Sequence, residues 1–231
     1  MNILGVILAR KGSKGIKNKN RLKLGKENLV EISIKNAKKS KLLNKIIFST
    51  DDKILKKRAI SMGISAPFNR PKKLSDDKAT SFSVLRHAIT WLEKNQNWKT
   101  DIVVLLQPTT PFRTGKLIDK VIKKLINENS DAALTITDSD YPAYWMLKKK
   151  KRTHKINFLF KKGYKFTRRQ DTPKCYKPAG MVYAIKKKFL FKLKGMLPQG
   201  NTVGVYVKPD LAINIDNFDQ YLLAKIKSKN V

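Results

Sequence analysis

The sequence predicts an α/β fold in which a mostly parallel, doubly wound sheet forms the middle of three layers. Three observations carry that prediction. Several short runs are apolar at consecutive positions, as in Ile102-Val103-Val104-Leu105-Leu106, which marks strands covered on both faces. These runs alternate with longer segments whose apolar residues recur at helical spacing. Loops rich in glycine, proline, amide, hydroxyl and charged residues follow the runs, where an open α/β sheet places its ligands.

Asn2 to Ala9 is the first strand, apolar until Arg10. Asn28 to Ser40 carries Leu29, Val30, Ile32, Ile34 and Ala37 near helical spacing and is the first helix. Lys45 to Thr50 is the second strand, and Asp52 to Met62 a helix stopped by Gly63. Thr80 to Glu93, with Val84, Leu85, His87, Ala88 and Leu92, forms a third helix ahead of the buried strand Asp101 to Gln107. Lys116 to Asn127 places Leu117, Ile118, Val121, Ile122 and Leu125 on a fourth helix, and Asp131 to Thr137 is the next strand. The rhythm then breaks over 139–178 into aromatic, lysine-laden stretches: Tyr144 to Leu147, Ile156 to Phe160 and Gly163-Tyr164. They read as hairpins, a small excursion from a single domain spanning 1–231. Gly180 to Ile185 and Thr202 to Val207 return to strand character, and Asn217 to Ser228 is the closing helix.

The 231 residues are 41% hydrophobic, enough for a sizeable core. No apolar run approaches the ~20 residues of a membrane span, and Met1 to Leu8 lacks the charged start and cleavage site of a signal peptide. A cytoplasmic protein with no membrane partner is expected. The formal net charge of +34 invites a polyanion. Yet only nine of the 51 basic residues are Arg, the side chain that nucleic-acid sites favour for its bidentate fork. The Lys excess, accompanied by much Ile and Asn, reads as compositional background, and no nucleic acid is expected as a partner. The runs Lys148 to Arg152 and Lys186 to Lys188 read as solvated turn and helix faces. Cys175 has no second cysteine to pair with, and His87 and His154 lie far from it in sequence, which excludes an internal disulfide and offers no Cys/His metal cluster.

The loop after the first strand, from Ala9-Arg10 to Lys19-Asn20, contains Gly12, Ser13, Lys14 and Gly15. Its glycines let backbone N–H groups approach a ligand, and Arg10, Lys14 and Lys19 supply charge for phosphates. It fits neither the dinucleotide fingerprint nor the Walker pattern, and alone it reads equally well as a glycine turn in a basic chain. Further polar loops follow other strands: Ser49-Thr50-Asp51-Asp52, Gln107-Pro108-Thr109-Thr110-Pro111-Phe112-Arg113 and Asn214-Ile215-Asp216. One more, Arg70-Pro71 through Leu74, Asp77 and Ser81, precedes a helix. Singly, these are helix caps and stiff turns. Together they put cations, carboxylates, amides and hydroxyls on one rim, which suits a nucleotide plus a metal.

The ordered stretches LARKGSKGIKNKN, STDD, RP with LSDDKATS, LLQPTTPFR, RRQDTPKCYKPAG and INIDNFD resemble the CMP-sialic acid synthetases, or acylneuraminate cytidylyltransferases. The resemblance spans nearly the whole chain and implies a Rossmann-like nucleotidyltransferase. CTP and a nonulosonic acid, N-acetylneuraminic or related, would be its substrates; the alternatives are a related nucleotidyltransferase for an octulosonic, legionaminic or pseudaminic acid, or a catalytically weakened nucleotide-binding homologue. It implies that Ala9, Arg10, Ser13, Lys14, Lys19 and Asn20 hold the triphosphate and ribose, with Arg10 and Lys19 neutralising charge in catalysis. Arg70, Ala79 and Ser81 would read the cytosine. Gln107, Arg168, Arg169, Gln170 and Tyr176 would meet the sugar acid, an Arg gripping its carboxylate. It implies Mg²⁺ on Asp216 and Asn214, and a homodimer in which the 139–178 excursion reaches the neighbour's site. The chain departs from the family pattern at three places: Asn214 stands where Asp is usual, Ala179 where Asn is common, and Lys17 where proline is common.

Overall fold

A computed structural model describes residues 1–12, 15–151, 153–193 and 200–229. In chain order the strands are β1 (Ile3–Leu8), β2 (Lys23–Leu24), β3 (Glu27–Asn28), β4 (Lys45–Ser49), β5 (Ile102–Leu106), β6 (Ala132–Asp138), β7 (Leu147–Lys149), β8 (Ile156–Phe158), β9 (Tyr176–Lys186) and β10 (Thr202–Tyr206). The helices are α1 (Leu29–Lys38), α2 (Lys53–Ser61), α3 (Ser81–Gln96), α4 (Gly115–Asn127), α5 (Lys187–Lys192) and α6 (Phe218–Lys227). The described residues build a six-stranded sheet in the order β10-β6-β9-β5-β1-β4.

The helix starts are written in the sequence. Asn28, Asp52, Thr80, Thr114 and Asn217 each accept backbone N–H groups at the first turn of α1, α2, α3, α4 and α6. These contacts satisfy donors that a helix leaves unpaired. Two starts, at Asn28 with Glu31 and at Asn217 with Gln220, are full capping boxes. Gly63 (φ 74) ends the turn after α2, as expected of a left-handed C-terminal glycine.

Strand alternation divides the core into two layers. Ile3 and Ile7 of β1, with Ile102, Val104 and Leu106 of β5, pack under α1, α2 and α4 through Val30, Ile34, Leu55, Ala59, Ile118, Val121 and Leu125. Leu4, Val6, Val103 and Leu105 face the opposite way, toward Phe82, Leu85, Ile89 and Leu92 of α3 and Leu190 of α5. A third cluster, of Leu24, Leu29, Ile213, Ile215 and Ala224, fastens α6 over the β2–β3 hairpin, where Tyr221 Oη also donates to the Lys23 carbonyl at 2.9 Å.

β1 pairs in parallel with β4 and β5, and β6 with β10, but β9 runs antiparallel between β5 and β6. The physical reason is the path of the 139–178 excursion. It leaves β6 at Asp138 and returns at Tyr176 directly opposite, at the same end of the sheet. A strand that re-enters where its neighbour ended runs backwards, whereas a parallel return needs a crossover. Within the excursion, β7 and β8 form the expected hairpin. β9 also begins earlier than the expected strand at Gly180, and the basic run at Lys186 to Lys188 opens the short helix α5.

Register slips between Leu134 and Ile136, where β6 meets β9. Thr135 absorbs the slip. Its buried hydroxyl accepts from the Met181 and Val182 N–H groups, both at 3.2 Å. Among the described residues no helix is long and apolar enough to cross a membrane. Thr135→Val, nearly isosteric, removes that acceptor and is expected to lower unfolding free energy by about 1–3 kcal/mol, read from the urea midpoint.

Candidate active site

The carboxyl ends of β1, β4 and β5 lie along one edge, and the chain visits β4 on one side of β1 before β5 on the other. That reversal is the switch point at which open α/β sheets bind ligands. A cavity of about 490 Å³ opens there, and its walls include Arg10, Lys19, Asn20, Arg70, Ala79 and Ser81, with Gln107, Asn214 and Asp216 opposite.

The loop after β1 is pinned by neighbouring strand ends. The Ala9 N–H donates to the Ser49 carbonyl at 3.2 Å, and the Lys11 N–H to Asp51 Oδ1 at 2.8 Å. Buried Asn20 donates to the Arg10 carbonyl at 3.2 Å, closing the loop's two arms. Asn18, in a left-handed conformation (φ 56), makes the turn into Lys19. Arg21 then grips Asp52 at 2.8 Å, while the same carboxylate caps α2. Gly15 lies so close to the carboxyl-end loop that a Cβ would sit 2.1 Å from the Asp216 carbonyl oxygen, so no side chain fits. Ser13 and Lys14 lie outside the described residues.

Arg70 is buried behind this loop. Its guanidinium donates to the Ser49 hydroxyl at 3.1 Å, to the Ser49 carbonyl, and to the Ala9 carbonyl at 3.4 Å. Ala9 thus enters the site through its backbone rather than by lining the cavity. Burial holds the Arg70 pKa at about 10, below an ordinary guanidinium, with Asp51 opposing the shift and Arg10 assisting it.

Opposite, the Gln107–Arg113 loop is held from beneath. Fully buried Arg113 donates to the Gln107 and Met181 carbonyls, each at 2.9 Å, and to Ser33 Oγ at 2.5 Å. The same loop accepts the Ile215 N–H on the Thr109 carbonyl at 2.8 Å, which fixes the backbone between Asn214 and Asp216. Gly180, in a left-handed conformation (φ 72), brings β9 within 3.3 Å of Gln107 Oε1, measured from where its Cβ would stand.

Two cations of the cavity, Arg10 and Lys19, are already matched with carboxylates. Arg10 Nη2 lies 2.5 Å from Asp77, and Lys19 Nζ lies 2.8 Å from Asp216 Oδ1. Asn214 Nδ2 donates to the other Asp216 oxygen at 2.6 Å, leaving Asn214 Oδ1 buried without a hydrogen-bond partner. One carboxylate and one orphaned amide oxygen suit Mg²⁺, a hard cation that takes one or two carboxylates and completes its shell with phosphate and water. Among the described residues no group of three His, Cys, Asp or Glu that could hold a metal occurs, so they form no all-protein cage.

Arg168, Arg169, Gln170 and Tyr176 do not reach this cavity. Arg168 pairs with Asp171 at 2.8 Å, Arg169 donates to the Asp140 carbonyl at 3.3 Å, and Tyr176 is exposed beside Tyr206. Arg169 and Gln170 line a separate cavity of about 500 Å³ on the excursion. Ala179 is buried in the core layer beneath the site. A residue that sequence reasoning left unassigned does come close: Tyr183 of β9 lines an annex of about 360 Å³ that shares Ala79, Ser81 and Gln107 with the main cavity. Burial pushes its phenol pKa up. The signal was present, since a tyrosine in an apolar strand needs an outlet for its hydroxyl.

Comparison with known proteins places these features in context. A family model described as cytidylyltransferase matches residues 4–221. A pseudaminic acid cytidylyltransferase of Campylobacter jejuni is 32% identical over 239 residues, covering 99% of this chain and 97% of that protein. A CMP-N,N'-diacetyllegionaminic acid synthase of the same species is 29% identical, covering 93% and 90%. Among solved structures, a CMP:2-keto-3-deoxy-manno-octonic acid synthetase complexed with CTP superposes with a TM-score of 0.70 at 15% identity, covering 100% of this chain and 98% of that one.

Gly15→Ala is expected to push the loop off Asp216 and to weaken nucleoside triphosphate binding roughly tenfold or more, measured calorimetrically, with little change in melting temperature.

Proposed function

The chain belongs to the cytidylyltransferase family, and on that premise we propose that it transfers CMP from CTP to the anomeric hydroxyl of a nonulosonic acid, releasing pyrophosphate. The observation that carries the proposal is the meeting of Arg10, Lys19, Asn20, Arg70, Ala79, Ser81, Gln107 and Asp216 around one cavity at the switch point. The names of its pseudaminic and legionaminic relatives favour an acid of that group over N-acetylneuraminic acid.

In the proposed reaction the hydroxyl oxygen of the sugar attacks the α-phosphorus in line and gives up its proton to water. The bond to the bridging oxygen breaks, and pyrophosphate leaves with its electrons. Catalysis is then positioning plus charge neutralisation. Arg10 and Lys19 face the triphosphate. The side-chain amide of Asn20, tied to the Arg10 carbonyl, stands by the ribose. Ser81 and the backbone at Ala79 offer partners for the cytosine edge, with Arg70 fixing the floor. Gln107 and the Tyr183 annex receive the sugar acid. Asp216, joined by the amide oxygen of Asn214, would hold Mg²⁺, which when bound supplies positive charge to the phosphates.

Arg168, Arg169, Gln170 and Tyr176 lie on the excursion, away from the chain's own cavity, and the same excursion exposes apolar residues such as Leu147, Ile156, Phe160 and Tyr164. A homodimer in which each excursion supplies its partner's sugar site accounts for both facts.

Incubation with CTP, Mg²⁺ and a panel of pseudaminic, legionaminic, N-acetylneuraminic and octulosonic acids is expected to release pyrophosphate with at least one of the first three. No release from any acid defeats the proposal. Asp216→Ala is expected to lower turnover roughly 100-fold or more, and Asn214→Asp to leave it unchanged or raise it. If the excursion works across a dimer, mixing inactive Arg169→Ala and Asp216→Ala chains restores about a quarter of wild-type activity, since about half the dimers then carry one intact site. Mixtures as dead as the parents contradict the shared site.

A further inference from the structure

We propose that the divalent-cation site of this chain comes into being only when a triphosphate is bound, because its one carboxylate otherwise serves as the counter-ion of a phosphate-binding lysine. The proposal rests on the cytidylyltransferase reading.

Both oxygens of Asp216 are occupied by donors, Oδ1 by Lys19 Nζ at 2.8 Å and Oδ2 by Asn214 Nδ2 at 2.6 Å. The ammonium is largely sheltered, with 15% of the Lys19 side chain exposed. One cation, one anion and one neutral amide sum to zero charge. A divalent cation approaching this cluster meets a carboxylate already neutralised and an ammonium that repels it. An aspartate at position 214 would leave the cluster net negative and attractive. Asn214 also turns its N–H, not its oxygen, toward Asp216, so its orphaned Oδ1 reaches a cation only after the amide rotates.

A triphosphate reverses the charge balance of this cluster. Its oxygens compete for Lys19 and likewise for Arg10, which at 2.5 Å from Asp77 is held by a second carboxylate, one that lines the adjoining annex. Once Lys19 turns to phosphate, Asp216 Oδ1 is free, and phosphate oxygens now stand beside it as the further hard ligands that Mg²⁺ requires. The same exchange makes the linkage reciprocal. Whatever factor nucleotide adds to cation affinity, cation adds to nucleotide affinity.

Manganese serves as the probe. Titrated into nucleotide-free wild-type protein and followed by the loss of the free-ion EPR signal, Mn²⁺ is expected not to bind below about 1 mM, whereas Asn214→Asp and Lys19→Met each gain on the order of tenfold in affinity. In parallel, the calorimetric CTP affinity of the wild type is expected to rise on the order of tenfold between EDTA and saturating Mn²⁺. The proposal is overturned if nucleotide-free wild type binds Mn²⁺ as tightly as the two variants, or if its CTP affinity is the same with and without the metal. Absence of CTP binding under both conditions would instead defeat the cytidylyltransferase reading itself.

Discussion

The arrangement of the active end depends on a buried cation, Arg113. Among the described residues it has no carboxylate partner. Its guanidinium is spread over the Gln107 and Met181 carbonyls and the hydroxyls of Ser33 and Thr110. Full burial without a balancing anion pulls its pKa down to about 9. An uncompensated charge in a core is expensive, and it stays charged only where fixed dipoles surround it. Here those dipoles belong to the loop after β5, to β9 and to α1, so the one side chain joins three segments distant in sequence. Its consequences run outward. The held loop accepts the Ile215 N–H on Thr109, and Ile215 in turn separates Asn214 from Asp216.

The second constraint is charge balance at the surface of the cavity. A phosphate cradle must offer cations, yet bare cations packed together repel one another in the absence of ligand. The chain meets this by lending them carboxylates: Asp77 to Arg10, Asp216 to Lys19, and Asp52 to Arg21 nearby. The first two are exposed enough to exchange, whereas Asp52 is buried and also caps α2. Exposed pairs contribute little to stability, so giving up those two to a phosphate costs the fold little. The formal charge of +34 has small part in this. The cations that matter are those whose backbone is fixed by Ser49, Asn20 and Gly15.

Much of this was legible in the sequence because it is local. Helix caps at Asn28, Asp52, Thr80 and Asn217, and unbroken apolar runs at β1 and β5, declare themselves within a few residues. The strand-end loops were legible because glycine, proline and paired carboxylates are unusual just where a strand stops. What stayed hidden was set at long range. The direction of β9 follows from where the excursion returns, not from Met181 or Val182 themselves. β2 and β3 are two-residue strands, below any periodicity, and α5 was masked by its lysines. The matching of Asp77 to Arg10 and the outlet of Tyr183 into the annex depend on which elements become neighbours. Arg113 reads in sequence as one more cation of the ligand rim and becomes a core residue only through the Gln107 and Met181 carbonyls presented to it.

The most direct measurement is a crystal structure of the protein grown with CTP and Mn²⁺. The triphosphate should occupy the cavity beside β1, with Lys19 and Arg10 turned from Asp216 and Asp77 onto phosphate oxygens, and with Mn²⁺ between Asp216 and the phosphates. Nucleotide bound elsewhere, or bound there with both carboxylate pairs intact, would contradict it.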